Sequence, residues 1–401
     1  MEILIASNSC SEKKYQQICG MRKKKLIDPQ QKFFRLMIDG FAANPQANVT
    51  VASALPVSAS TVNQYVFRKE TEVTSGGACY RYLPFLNGKI SRYLSLIVSS
   101  FFLARKWCQE NRGRQAWVIV DPLIPVVSIP VRLVAQKSGI SVAAVITDIP
   151  TLSTNMKGRK ENILKHCLVS AYQRIADRDL HAYDAYISLT ESLNDVANIK
   201  RRPHIVIEGF ADSRDTTLAD VHENYIMYAG GVFEKYGVRA LTEAFLSLNR
   251  PDICLYIFGE GPYTETLEKI QAAHPNVKYM GCVSPEEAVA FEKKALLLVN
   301  PRPTDEEFSK YSFPSKTMEY LLSGTATAST LLPGIPGEYF EYILPMHDDS
   351  TEGLAKALEE ILRMPKEQLR EIGHRGHDFA IREKNNVFMA GRIYSFLEKC
   401  R

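Results

Sequence analysis

The stretch Ser312-Phe313-Pro314-Ser315-Lys316, with Glu319 close behind, is where this 401-residue sequence concentrates groups able to handle a phosphate. The apolar run Leu296 to Val299 precedes it and reads as a buried parallel strand. Met318, Leu321 and Leu322 share one face of a helix that begins near Pro314, where proline is tolerated, and stops at Gly324. Free N–H groups and the helix dipole make such a start a site for an anion. Lys316 adds a full positive charge on the same turn, and Glu319, one turn further in, could reach past the anion to a hydroxyl. A phosphate next to a diol describes a nucleotide or a nucleotide sugar. The same spacing also fits a helix that binds only water at its start, as most do.

The elements around this stretch alternate between strand and helix. Glu2 to Ala6, Val49 to Ser53, Val118 to Asp121, Val142 to Asp148 and Tyr186 to Thr190 read as buried strands of the first half. Ser7 to Ser11 open as a polar turn at the carboxyl end of the first one, where α/β proteins bind ligands. Ile90 to Trp107 is a strongly apolar helix, lying either in the core or at an interface. In the second half, Ile226 to Gly231 is a strand running into glycines, followed by the helix Val238 to Leu248. Leu255 to Gly261 is the next strand and turn; Thr264 to Ala273 and Glu286 to Lys294 are helices either side of a strand at Val277 to Met280. Helices at Leu354 to Leu362 and Val387 to Leu397 close the chain. This alternation predicts parallel sheets covered by helices on both faces.

Phe313-Pro314-Ser315-Lys316, Glu319-Tyr320 and Ser323-Gly324-Thr325 resemble the donor-binding segment of family 4 glycosyltransferases, which are retaining enzymes of the GT-B fold. The subgroup with a Phe-Pro-Ser-Lys loop, which makes bacterial surface polysaccharides, is the most similar; the likeness runs from Tyr225 to Leu362. The resemblance implies two doubly wound, Rossmann-like α/β domains facing a cleft. It implies an N-terminal acceptor-binding domain over residues 1–205, a donor-binding domain over 206–385, and a C-terminal helix, 386–401, returning to the first. A sugar would move from a nucleotide diphosphate sugar to an acceptor hydroxyl with retention, the departing phosphate deprotonating the acceptor. The acceptor would be a glycan or a lipid-linked glycan. No cofactor or metal is implied, because cations and helix N-termini stabilise the leaving diphosphate.

Residue by residue, the resemblance implies that Gly230 and Gly231 let the backbone approach the diphosphate. Ser312 to Lys316 would bind the donor phosphates and Glu319 the ribose. The chain departs from the pattern in three places. Gly231 and Tyr236 stand where an Arg and a Lys are usual, with Lys235 adjacent, and Tyr311 stands where a first glutamate is expected. Arg302 and Lys316 are the candidates to neutralise the diphosphate, and Glu306 or Glu307 to replace the glutamate. Asp148 follows a first-domain strand where related enzymes often carry a His or an acid facing the cleft, which implies a catalytic or acceptor-positioning role; an Asx-turn or a cap before Pro150 is the alternative. These departures keep a second reading open, that of a catalytically inactive, nucleotide-sugar-binding partner subunit. An epimerase of the same fold would need catalytic acids that have no match here.

Asp177-Arg178-Asp179 spells an acidic triplet known from metal-dependent transferases, but its helical context predicts a surface role. The eight cysteines show no CxxC or zinc spacing and read as reduced thiols of a cytoplasmic protein. The eight histidines include no HExxH, and His374 and His377 are expected in solvent. The N-terminal strand is too short for a signal peptide, and no apolar run reaches membrane-span length. Residues 1–205 hold 28 Lys and Arg against 15 Asp and Glu, a surplus of +13, whereas the rest of the chain stands at −9. The basic half predicts an anionic partner. Arg22 to Lys25, with Phe33, Phe34 and Met37 behind them, suggest peripheral contact with the inner face of a membrane. No nucleic-acid-binding motif accompanies them. A solvated loop over a core helix suits the same residues.

Overall fold

The computed structural model describes residues 1–23, 29–149, 174–214, 216–218 and 222–400. The chain divides into two compact units, residues 1–210 with 386–401, and residues 211–385.

The strands of the first unit are β1 (Glu2–Ser7), β2 (Asn48–Ser53), β3 (Val66–Phe67), β4 (Glu70–Val73), β5 (Cys79–Tyr82), β6 (Phe85–Leu86), β7 (Ala116–Val120), β8 (Ser141–Ile146), β9 (Ala185–Ser188) and β10 (His204–Val206). Eight of them form a sheet in the order β10-β9-β8-β7-β1-β2-β5-β4. All neighbours are parallel except β4, which runs antiparallel along the β5 edge. Every residue of β7 is buried, and in β1 only Glu2 is not. Burial on both faces is why these strands read as continuous apolar runs rather than alternating ones. The short strands between residues 66 and 86 are not foreseen by the pattern; their two to four residues are too few to show a period. The helix Asn386–Lys399 packs on the helix Pro29–Ala42 of the same unit, so closely that a Cβ on Gly40 would lie 2.1 Å from Asn386 O.

The second unit adds β11 (Tyr225–Ala229), β12 (Cys254–Phe258), β13 (Val277–Gly281), β14 (Leu297–Asn300), β15 (Thr327–Thr330) and β16 (Leu344–Met346). They form a wholly parallel sheet in the order β13-β12-β11-β14-β15-β16. One core cluster joins Ile226, Leu255, Ile257, Leu297 and Val299 of the sheet to Leu241, Phe245, Leu354 and Leu358 of helices. A second gathers Phe313, Met318, Leu321, Tyr339 and Phe379. The helix Pro285–Lys294 begins with a capping box, in which Ser284 and Glu287 each accept the other's backbone N–H.

Three expectations need correction. Asp179 is buried, not at the surface: Arg132 Nη2 lies 2.7 Å from Asp179 Oδ1, and Tyr183 Oη donates to Asp179 Oδ2. A carboxylate held by a guanidinium and a phenol is a structural anchor, because burial is tolerated only when the charge is matched. His377 is also buried, with Nδ1 2.8 Å from Leu322 O. Phe34 and Met37 are wholly buried, so they do not reach toward a bilayer. Lys24 and Lys25 lie outside the described residues, and Lys23 is exposed.

Candidate functional site

The second sheet grows in both directions from β11, with β12 and β13 on one side and β14 to β16 on the other. Doubly wound sheets bind ligands at the carboxyl ends of the strands flanking such a reversal. The chain leaves β11 at Gly230-Gly231 and leaves β14 at Pro301-Arg302, so both segments belong to that crevice.

Gly230 N donates to Phe258 O at 3.0 Å, and Val232 N to Glu260 O at 2.9 Å. Neither Gly230 nor Gly231 has a positive φ. Their missing side chains leave room beside aromatic groups: a Cβ would come 2.8 Å from Tyr228 Oη at Gly230, and 3.0 Å from the rings of Phe233 and Tyr236 at Gly231. The stricter demand falls on Gly259 and Gly237. Gly259 has φ +122°, and a Cβ there would lie 1.8 Å from Gly230 O; Gly237 has φ +78° and would meet Pro301 O at 1.9 Å. These two glycines bring the neighbouring loops against the Gly230-Gly231 and Pro301-Arg302 segments. In the sequence Gly259 shows only as part of the strand and turn Leu255 to Gly261.

Arg302 stands in this crevice among aromatic rings. Its Nη1 donates to Ser312 Oγ at 3.2 Å, and its Cζ lies 4.9 Å from the Tyr236 ring centre and 5.3 Å from that of Phe308. Lys235 Nζ lies against the same two rings, at 5.3 and 5.6 Å. Burial lowers the guanidinium's pKa, while Tyr236 and Tyr228 act in the opposite sense; an arginine stays charged regardless. Two cations on a shared aromatic surface therefore stand near the glycine loop, one of them adjacent to the position where a lysine is usual.

Pro314 caps the helix Ser315–Ser323 with φ −66° and ψ 112°, and no side chain caps its first turn. Thr317 N turns back to Pro314 O at 2.9 Å. The helix ends at Gly324 in the left-handed conformation, φ 75°, as the glycine suggests. Phe313 is not a ligand-facing ring: it is buried beside Tyr339, with ring centres 5.3 Å apart, and fastens the loop to the core. Tyr320 performs the other fastening. Its hydroxyl accepts Ala229 N at 2.8 Å, tying this helix to the residue before Gly230.

Lys316 and Glu319 do not stand apart as a phosphate binder and a ribose binder. Lys316 Nζ donates to Glu319 Oε1 and, at 3.1 Å, to Oε1 of Glu292. Glu292, on the helix Pro285–Lys294, has no exposed surface. Burial, and then repulsion from Glu319, raise its carboxyl to about 8, against the pull of Lys316. Burial would lower the Lys316 ammonium, but the two carboxylates outweigh it and hold it above its ordinary value. Glu292 escapes sequence reasoning because it lies 24 residues from its partner in an ordinary amphipathic helix.

Glu306 is half-buried and Glu307 exposed, in the loop between β14 and Pro314. Asp148 belongs to the first unit, after β8, where its Oδ1 accepts Ile149 N at 2.7 Å in a local turn. Nearby, Asp121 closes β7 fully buried, and burial raises its carboxyl to about 7 in spite of a bond from Leu123 N. Gln30 Nε2 bridges Asp121 Oδ2 and Thr147 Oγ1, each at 3.3 Å. The sequence showed Asp121 only as a carboxylate ending a strand.

The profile of a family described as "Glycosyl transferases group 1" matches residues 223–364, most of the second unit. No curated protein matches the chain by sequence. Among solved structures, sucrose-phosphate synthase from Thermosynechococcus elongatus is similar over 100% of both chains, at 12% identity and a TM-score of 0.65. HepE from Anabaena, solved with UDP, is similar over 100% of both chains at 12% identity and a TM-score of 0.62. The UDP-forming α,α-trehalose-phosphate synthase from Burkholderia xenovorans, in complex with glucose-6-phosphate, is similar over 99% of this chain and 100% of its own, at 10% identity and a TM-score of 0.64. The chain thus has the GT-B fold of two Rossmann-like α/β domains, with a glycosyl transferase group 1 signature across the second.

Proposed function

We propose that this protein is a glycosyltransferase that moves a sugar from a nucleotide diphosphate sugar to an acceptor hydroxyl with retention of configuration. The observation that carries this reading is the crevice at the β11/β14 reversal. Glycines, Arg302, Ser312 and an uncapped helix start converge there within the segment matched by the family profile. Arg302 and Lys235 would offset the charge that builds on the leaving diphosphate, with the helix start adding backbone donors. Glu319 would take the ribose hydroxyls once a donor draws Lys316 toward its phosphates. The departing phosphate would accept the acceptor's proton on the same face, and Asp148 would position that acceptor. Capsule, exopolysaccharide or lipopolysaccharide synthesis is the setting we favour, with a lipid-linked glycan as acceptor at the inner face of the membrane.

The test is a calorimetric panel of nucleotide diphosphates, begun with UDP because one similar structure carries it, followed by donor hydrolysis and transfer. Binding of a nucleotide diphosphate with sugar release supports the proposal; failure of every nucleotide to bind overturns it. The second reading, a partner subunit that binds the nucleotide sugar without turning it over, draws on Lys316 being held between two carboxylates. Binding without hydrolysis or transfer would favour it.

A further inference from the structure

The helix Ser91–Glu110 is apolar on both sides, and among the described residues only one side is covered. Leu96, Ser100, Ala104 and Trp107 are buried, and the helix packs against the helix Pro125–Lys137, with Ser100 Oγ 3.4 Å from Val126 O. The opposite side carries Ile90, Leu94, Ile97, Val98, Phe101 and Phe102, all exposed; Leu94 and Phe102 are each 61% exposed and Val98 54%. Their spacing of three and four residues makes one continuous stripe along the helix. A groove of about 1010 Å³ runs beside it, lined by Leu86, Leu94, Val98 and Phe102 together with Lys69 and Lys106. Contiguous apolar surface of this kind marks a protein or membrane interface.

Charge decides between those occupants. Residues 66–110 hold seven Lys and Arg and three Glu. Lys89 and Arg92 flank the start of the stripe and Arg105 and Lys106 its end. Glu70 is taken by Lys14 at 2.6 Å, and Glu110 by Arg81 and Lys106 at 3.4 and 3.7 Å. A second copy of the chain stacked on this stripe would set cations against cations in either direction. An anionic surface would not. No described helix is long and apolar enough to cross a membrane, and the inward side of this one is committed to its own unit. The helix can therefore lie along a bilayer over its roughly 30 Å length, but cannot span it.

We propose that the outer face of the helix Ser91–Glu110 docks on an anionic lipid bilayer, the stripe entering the interface and the flanking cations meeting the head groups. The proposal deepens the reading of a lipid-linked acceptor and rests on it for its purpose. It also moves membrane contact away from Phe34 and Met37, which are buried.

Co-sedimentation with mixed phosphatidylcholine–phosphatidylglycerol vesicles tests it, using the full chain. Binding should require phosphatidylglycerol and weaken with salt. The double variant Leu94→Gln/Phe102→Gln should bind at least about tenfold more weakly at an unchanged melting temperature, because both side chains already face solvent. Lys69→Glu with Lys106→Glu should weaken it likewise. In Phe102→Trp, emission should shift to the blue when anionic vesicles are added. Equal binding to pure phosphatidylcholine, no binding to either kind, or binding unaltered in both double variants would overturn the proposal. So would a dimer in sedimentation velocity that Leu94→Gln dissolves without any vesicle binding. UDP calorimetry on the same samples keeps the two readings apart: lost nucleotide binding in wild type strikes the enzyme, and lost vesicle binding strikes the docking face.

Discussion

Lys316 Nζ lies 3.1 Å from Oε1 of Glu292, a carboxyl with no exposed surface, while the same ammonium also donates to Glu319. Two carboxyls thus bracket one cation at the start of the helix that follows the Phe-Pro-Ser-Lys loop. Glu292 keeps its proton near neutrality, because burial and the neighbouring Glu319 carboxylate outweigh the pull of one ammonium.

That proton links stability to pH. Glu292 titrates near 4.5 in an unfolded chain and at about 8 in the fold. The folded protein holds a proton that the unfolded chain gives up, so the stabilisation is complete below about 4.5 and is lost as pH rises toward about 8. Glu292→Gln keeps an acceptor for Lys316 and cannot ionise. Its melting temperature should decline less than wild type across this window; parallel curves would remove Glu292 as the origin.

Lys316→Ala should weaken a nucleotide diphosphate far more than the nucleoside, since the lost partner is a phosphate. Equal losses for both ligands in calorimetry would exclude a phosphate role. Glu319→Ala should cost roughly 1–3 kcal/mol of nucleotide affinity, the range for a charged hydrogen bond. A 2′-deoxynucleotide should be nearly indifferent to that change if Glu319 reads the ribose.

Arg302→Lys should impair diphosphate binding nearly as much as Arg302→Ala. A lysine loses the planar group that stacks near Tyr236 and Phe308 while reaching Ser312. Full rescue by lysine would mean that only net charge matters there.

Tyr320→Phe removes the hydroxyl that accepts Ala229 N at 2.8 Å. Stability should fall by about 1–3 kcal/mol, the cost of a buried polar group left short of a partner. Nucleotide affinity should fall as well, because Ala229 leads into the glycine loop. Denaturant titration and calorimetry on one preparation separate the two effects.

Asp179→Ala should destabilise the first unit by about 3–5 kcal/mol, since the largely covered Arg132 would lose its carboxylate. Arg132→Met with Asp179→Leu should recover much of that loss. A double variant as unstable as the single one would count against a structural role for the acidic triplet.

What the sequence determined by itself was whatever neighbours along the chain decide. Continuous apolar runs announced the buried parallel strands, because burial on both faces leaves no polar alternation. Gly324 announced the end of its helix, because a left-handed residue there costs glycine little. Ser312 to Glu319 could be read as one unit because helix geometry alone sets their spacing. Tertiary structure decided the partners. Lys316 meets Glu292, Tyr320 meets Ala229, Arg302 meets Tyr236, and Arg132 meets Asp179. Each pair joins segments whose proximity follows from the order of strands in a sheet, and no local periodicity carries that order. The same limit governs the apolar helices. On the helix Ser91–Glu110, Leu96 is buried while Leu94 is exposed. A helix apolar on both sides satisfies the pattern whichever side the core takes, and only packing against a neighbour chooses.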